Sequence, residues 1–499
     1  MNRPVPESPN QWSVMLISAA VAIGCVYLFG HWLAGVSVIA LMLIWRILRR
    51  PGDEGPPVLA LALTTQWLQV TAGIFYMGLT GRMLSGIDGA EFEPMVLIGL
   101  GCVLALAGGL WAGARLVSQR MAKPENAPEE LVGWRLLLMA YAGALVTTGV
   151  LQQLAFAYAT LTQALLALSY AHLAILFLIL RRLTRPTLHP GLILLFLAFE
   201  VALGFTGYFS NFKEPLLLAG LAMLETFEPR RVQHWATAAA LAIVLAVASV
   251  MWMGVRTEFR QDIDQQWLGS SRSTRLERMQ ALLTDWLRQR DDRAQGDLDV
   301  LVARAWAIYY PALAVERVPA VLPHTDGELL RASLLHLVTP RLLFPNKPDL
   351  PSDSDMVRKY SGVFVAGIEQ NTSIAFGYAA ESYVDFGVPL MFVPVLVFGI
   401  FCGAMYEWFM RTIQHRELAL SLVTVIFWLN LYLFERSWAK TLGLSITMMV
   451  YLGGLSFLLD RWLLMRLAQQ QMPLAEPQVP RQLPAVADTQ AAAYGAPRN

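Results

Sequence analysis

Charge is scarce in this chain. Of its 499 residues, 15% are Asp, Glu, Lys or Arg and 56% are hydrophobic, whereas an ordinary soluble domain carries about 25% charged residues. That shortage excludes a single soluble globule, which would have too little polar surface to cover its apolar interior. The formal net charge is +1, so no overall field exists to gather a polyanion and nucleic acid is not an expected partner. Cysteine is nearly missing. Cys25, Cys102 and Cys402 each sit alone in an apolar run, which excludes a disulfide framework and offers no metal spacing. Histidines are scattered, and His324 and His336 stand too far apart to share one helix face; either imidazole is a weak candidate for a general base near neutral pH. No metal or other cofactor is expected, since a nucleotide-binding glycine pattern and an internal repeat are also missing.

What is present is long apolar runs. Runs of about 17 to 23 residues can cross a hydrocarbon core of roughly 30 Å at 1.5 Å per residue. They fall at 12–29, 32–48, 57–79, 95–114, 136–155, 161–180, 190–208, 214–227, 235–254, 388–406, 418–434 and 443–463. The expectation is an all-α polytopic membrane protein with about 12 transmembrane helices. The first two runs lack a small-residue cleavage site between them and read as a helical hairpin, not a removable signal. Arginines collect in alternate connections: Arg46, Arg49 and Arg50; Arg115, Arg120 and Lys123; Arg181, Arg182 and Arg185; Arg230 and Arg231; Arg411 and Arg416; Arg461 and Arg466. This bias places those connections and both termini in the cytoplasm.

The apolar pattern divides the chain into 1–254 with about nine spans, a loop subdomain at 255–387, three spans at 388–466 and a polar tail at 467–499 expected to be disordered. The 255–387 segment is too long for a structureless loop, and the count of spans puts it outside the cytoplasm. Helical spacing appears in three places. Thr274 and Glu277 read as a capping box before Leu276, Met279, Leu283, Trp286 and Leu287, with Arg272, Arg275, Arg278, Arg288 and Arg290 alongside. Such a basic amphipathic helix suits either a membrane surface or the interior of a subdomain. Further helices are expected at 298–309 and 327–337. Prolines at 340, 345, 348 and 351 then impose an extended strip.

The densest polar constellation runs from Thr339 to Asp385. Glu381 and Asp385, four residues apart, share a helix face and form a pair able to position a hydroxyl and accept its proton, or simply to cap and solvate the next span. Arg341 and Lys347 lie between prolines that restrain them. With Lys213, Arg436 and Lys440 at other span ends, they are candidates for holding a lipid diphosphate; snorkelling to headgroups is the plainer role for each. Arg358, Lys359, Tyr378 and Tyr383 are candidate substrate contacts. Glu200, inside an apolar run, is expected to pair with a cation, to be protonated, or to make an interhelical hydrogen bond. Asn371-Thr372-Ser373 matches a glycosylation acceptor, a pattern that arises often by chance.

Two strips, Pro340-Arg341 through Phe344-Pro345-Asn346-Lys347-Pro348 and Gly377-Tyr378-Ala379-Ala380-Glu381-Ser382-Tyr383-Val384-Asp385-Phe386-Gly387, together with the late loop, resemble the Wzy-type oligosaccharide repeat-unit polymerases of O-antigen and enterobacterial common antigen synthesis. The resemblance implies a multi-pass glycosyltransferase of the bacterial inner membrane with a GT-C-like architecture and a periplasmic loop. It would transfer a growing glycan from undecaprenyl diphosphate onto an incoming lipid-linked repeat unit, in a setting that includes membrane lipid, a flippase and a chain-length regulator. On that resemblance Glu381 and Asp385 are the catalytic candidates, and the five cations hold the diphosphate. Three other readings stand beside it: an O-antigen ligase or protein O-glycosyltransferase with the same donor, a transporter or flippase, and a membrane sensor or scaffold.

Overall fold

The structure is a computed structural model and describes residues 11–49, 56–81, 91–122, 133–158, 160–185, 189–205, 212–228, 230–264, 272–288, 294–339, 344, 346–367, 369 and 372–471. Among them every regular element is helical. The chain runs through α1 (Gln11–Phe29), α2 (Trp32–Leu48), α3 (Val58–Thr80), α4 (Phe92–Arg120), α5 (Trp134–Ala157), α6 (Thr162–Ser169), α7 (Ala171–Thr184), α8 (Pro190–Phe205), α9 (Lys213–Glu225) and α10 (Val232–Asp264). It continues through α11 (Arg272–Arg288), α12 (Ala294–Ala305), α13 (Tyr309–Arg317), α14 (Glu328–Val338), α15 (Asp353–Ser361) and α16 (Tyr378–Phe386), and closes with α17 (Phe392–Thr412), α18 (Arg416–Leu431) and α19 (Trp438–Gln471).

The protein is an all-α membrane protein. Seven helices among the described residues are long and apolar enough to cross a bilayer: Val58–Thr80, Phe92–Arg120, Trp134–Ala155, Thr162–Thr184, Val232–Val255, Phe392–Thr412 and Trp438–Met465. Three shorter apolar helices accompany them, Leu16–Phe29, Trp32–Leu48 and Pro190–Gly204. The two remaining apolar runs, 214–227 and 418–434, hold α9 and α18, of 13 and 16 residues. Each of the twelve runs thus contains helix, the 161–180 run divided between α6 and α7, and they differ in length and setting. α18 is the inner post of the bundle: every residue from Ala419 to Leu431 is buried, against α3, α7, α17 and α19. A helix apolar all round is one that must be covered all round.

The closest backbone approach joins α4 to α17. Gly109 and Gly113 on one helix meet Gly399 and Gly403 on the other, so that a Cβ on Gly399 would stand 2.7 Å from the Leu106 carbonyl and one on Gly403 would overlap that of Leu110. Between lipid-soaked helices there is no hydrophobic drive to associate, and small residues four apart let dispersion and close backbone contact supply it. Glu200 on α8 is settled by an interhelical hydrogen bond, accepting from the Tyr141 hydroxyl of α5.

The regular elements of the 255–387 segment are all helices among the described residues, joined by turns and extended stretches at 318–327, 346–352 and 362–377. α11 starts at Arg272, so Thr274 lies within its first turn and not at a cap. Its Met279, Leu282 and Trp286 are buried against α10, with Trp286 over Gly254; α11 thus folds back on α10. The helix expected at 298–309 is broken into α12 and α13 because Trp306 turns inward, donating its indole N–H to the Val70 carbonyl at 2.8 Å above Gly73. The helix expected at 327–337 is α14. The expected disordered tail lies outside the described residues from 472 onward, and 467–471 belong to α19.

Candidate functional site

The site is built on α16, a helix of 9 residues with Glu381, Ser382 and Asp385 all buried. Its start is fixed by Gly377, whose φ of 93° and 2.7 Å approach of a would-be Cβ to the Phe434 carbonyl demand glycine. The Tyr378 amide then donates to the Arg436 carbonyl at 2.8 Å. These contacts lay α16 against the 432–437 turn that joins α18 to α19.

Each carboxylate of the pair meets the N-terminus of a different helix. Asp385 accepts from the Thr325 hydroxyl at 2.5 Å, the Leu329 amide at 3.0 Å and the Leu330 amide at 2.9 Å, which closes the orphan donors of α14. Glu381 accepts from the Trp438 amide at 2.7 Å, the first residue of α19, while Ser382 takes the Trp438 indole N–H at 2.8 Å. One face of one short helix therefore anchors both α14 and α19. Asp385 is engaged on both oxygens. Glu381 uses one, and its second oxygen makes no hydrogen bond among the described residues. Burial pushes the Glu381 carboxyl up to about 8; the Trp438 amide opposes the rise, Asp353 and Asp385 add to it, and Lys440 opposes it. The carboxyl is thus mostly protonated at neutral pH.

On the other side of the turn, Arg436 donates Nη1–H to the carbonyls of Leu429 at 2.9 Å and Asn430 at 3.2 Å. It closes the C-terminus of α18, where a cation is favoured. Its guanidinium lies 6.0 Å from the Tyr432 ring centroid, and Nε and Nη2 make no hydrogen bond among the described residues. Lys213 and Arg436 both act on the Glu214 carboxyl, so two of the five proposed diphosphate cations share a neighbourhood. Polar residues of α3 hold the turn in place: Gln66 donates to the Leu431 carbonyl at 2.5 Å and accepts from the Tyr378 hydroxyl at 2.7 Å. Gln69 donates to the Tyr432 carbonyl at 2.7 Å and accepts from the Phe434 amide at 3.0 Å. From the loop side, Arg304 makes a two-pronged pair with Glu435 at 2.6 and 2.9 Å.

Among the described residues, the remaining sequence candidates are engaged in structural contacts. Lys440 pairs with Asp353 at 2.5 Å and donates to Ser373 at 2.8 Å. Lys347 donates to the His336 carbonyl at 2.9 Å, at the C-terminus of α14. Arg358 is bound to the Val365 carbonyl and Glu369, and Lys359 lies over the Tyr360 ring. Tyr378 is buried; the Tyr383 hydroxyl donates to the Val318 carbonyl at 3.0 Å. Arg341 and Asn371 lie outside the described residues. His324 packs its ring on Tyr383 and bonds the end of α16, an anchoring role. Sequence reasoning missed Gln66, Gln69 and Asp353. The two glutamines carried a signal, being polar residues three apart within an apolar run, where an amide needs a partner helix.

Among the described residues no group of three or more His, Cys, Asp or Glu could hold a metal ion. No curated protein and no solved structure matches the chain. Residues 102–408, from within α4 to within α17, match the family described as Domain of unknown function (DUF8712), and with more than half of its length inside that match the chain belongs to the DUF8712 family.

Proposed function

We propose that this chain is a membrane glycosyltransferase that elongates a glycan on a polyprenyl diphosphate, as the resemblance to Wzy-type polymerases implies. In this reading the twelve apolar helices cross the inner membrane, both termini are cytoplasmic, and residues 255–387 form the periplasmic subdomain. The observation that carries the reading is the 436–438 turn. It bears a guanidinium anchored by one nitrogen with its other edge uncommitted, and two residues later the amide that holds Glu381.

The two groups suit the two needs of the transfer. A hydroxyl oxygen of the incoming repeat unit attacks the anomeric carbon of the donor glycan, the carbon–oxygen bond to the diphosphate breaks, and the hydroxyl proton moves to ionised Glu381. A carboxyl with a pKa of about 8 keeps roughly a tenth of its population ionised near pH 7, and that fraction is a strong base. Charge builds on the departing diphosphate, which the free edge of Arg436 meets as a two-pronged donor with Lys213 nearby. Asp385, with three donors on its oxygens, holds α14 instead of moving protons. Lys347, Lys440 and Arg358 brace the subdomain.

The test is elongation of a synthetic polyprenyl-diphosphate-linked repeat unit by the reconstituted protein. Arg436→Ala and Glu381→Gln should each stop chain growth while the protein remains folded; full elongation by Arg436→Ala would overturn the reading. Glycan appearing on lipid A core or on a protein acceptor, and not on the carrier, would identify a ligase.

A further inference from the structure

α14 has two faces of different character. Its inner face, Leu330, Ser333 and Leu337, lies against the core, and the helix packs on α16 and on the start of α19. Its outer face changes along its length. Glu328 and Arg331 are exposed in the first half; Leu334, Leu335 and Val338 are exposed in the second, Leu335 by 53% and Val338 by 67%, and Phe344 beyond the helix by 49%. An exposed stripe that turns from charged to purely apolar within three turns is not the profile of a water-facing helix.

The position of α14 supplies the rest. The loop before it meets the loop before α17: Gly327 lies against the Phe386 ring and Gly387 against His324. Immediately after that junction Val388, Leu390, Val393 and Val397 are all exposed as α17 becomes a candidate span. α14 therefore begins beside the start of one spanning helix, α17, and packs on a second, α19. Two of the last four carbonyls of α14 are also closed from within the chain, Leu335 by the Thr339 hydroxyl at 2.7 Å and His336 by Lys347 Nζ at 2.9 Å. Water would serve such carbonyls in an aqueous setting, whereas a hydrocarbon setting requires an internal donor.

We infer that α14 is an interfacial helix whose C-terminal half, with Phe344, is inserted among the acyl chains of the leaflet into which the N-terminal end of α19 opens. Glu328 and Arg331 stay at headgroup level, and the helix enters obliquely from α16. Asp385 and Lys347, holding its two ends, set that tilt. The partner is bulk bilayer lipid, and the inference is independent of the reaction proposed above.

The experiment is spin-label accessibility in nanodiscs. On a Cys25→Ser background, whose other cysteines Cys102 and Cys402 are buried, single labels are placed by Glu328→Cys, Arg331→Cys, Leu335→Cys and Val338→Cys. Labels at 335 and 338 should collide several-fold more with oxygen than with a nickel chelate, and those at 328 and 331 the reverse. Preference for the chelate at 335 and 338 overturns the inference by placing the face in water. Exclusion of both reagents overturns it as well, because a protein surface then covers the face. As a check that needs no substitution, the full chain in vesicles containing a phosphatidylcholine with a diazirine in its acyl chain should yield lipid adducts on 334–339 and Phe344; adducts on α17 and α19 without any there would overturn it.

Discussion

The two ends of α18 are finished in opposite ways. At the Arg416 end charge is met by charge: Arg181 pairs with Glu225 at 2.8 Å, with both side chains under 5% exposed, Arg185 reaches the same carboxylate at 2.6 Å, and Arg182 binds Glu417. Asp460 of α19 takes the Gln414 and His415 amides and the His415 ring at 3.2, 3.1 and 2.6 Å. At the Arg436 end the carboxylates cap helices, one guanidinium edge is uncommitted, and Trp428 Nε1, both amide atoms of Asn430, Ser437 Oγ and Glu214 Oε2 are buried without a hydrogen-bond partner among the described residues, against His415 Nε2 at the Arg416 end. A buried polar atom left unmatched costs about 1–3 kcal/mol. The first end is built to stay shut. The second carries unspent polarity, which is why the proposed site is placed there.

The largest effect is expected where that contrast is broken at its closed end. Glu225→Ala takes from buried Arg181 its close counter-charge and leaves Glu417 at 4.0 Å, a loss of up to about 3–5 kcal/mol, large beside the roughly 5–15 kcal/mol of a whole domain; detergent-solubilised protein should lose its monodisperse peak on size exclusion. Next, Gly403→Val drives a side chain into the Leu110 carbonyl and should cost about 1–3 kcal/mol or more, read as a fall in unfolding temperature.

At the open end the effects are smaller in stability and larger in chemistry. Glu381→Ala removes the acceptor for the Trp438 amide and should cost about 1 kcal/mol. Glu381→Gln keeps an acceptor and should be near neutral in stability while ending turnover. The sign with pH follows from the raised carboxyl: the folded form holds its proton more tightly, so its contribution is full below about 4.5 and is lost as pH rises toward about 8. Thermal unfolding across that window should fall with pH in the parent and fall less in Glu381→Gln. The smallest change is expected for Lys440→Ala. Its ion pair is 53% exposed on the lysine side, and such pairs contribute under about 1 kcal/mol.

Much of this architecture can be read from hydropathy, since a helix in lipid must be apolar along its whole length and twelve such runs appear as helices. α14 was legible from spacing almost to its ends. The break between α12 and α13 was not, because Trp306 leaves helical course to reach a carbonyl on α3. The carboxylate pair shows the limit most clearly. Spacing of four puts Glu381 and Asp385 on one face, but says nothing of what meets that face; their partners lie more than fifty positions away. The cations fared similarly, since Lys347 and Arg358 are consumed by carbonyls that no local pattern reveals.

The glycine contact between α4 and α17 has a consequence for the family as a whole. The matched segment begins in one of these helices and ends in the other, and because the two run parallel, with Gly101 beside Phe392 and Gly113 beside Ala404, its boundaries lie toward opposite ends of one seam. Whatever lies between them leaves from a fixed seam and returns to it, which means the excursion can lengthen, shorten or change its outer subdomain without displacing the helices on either side of the seam. Variation within relatives is then expected to concentrate between α5 and α16, and a chain cut and rejoined at this seam would keep its inner and outer parts in register.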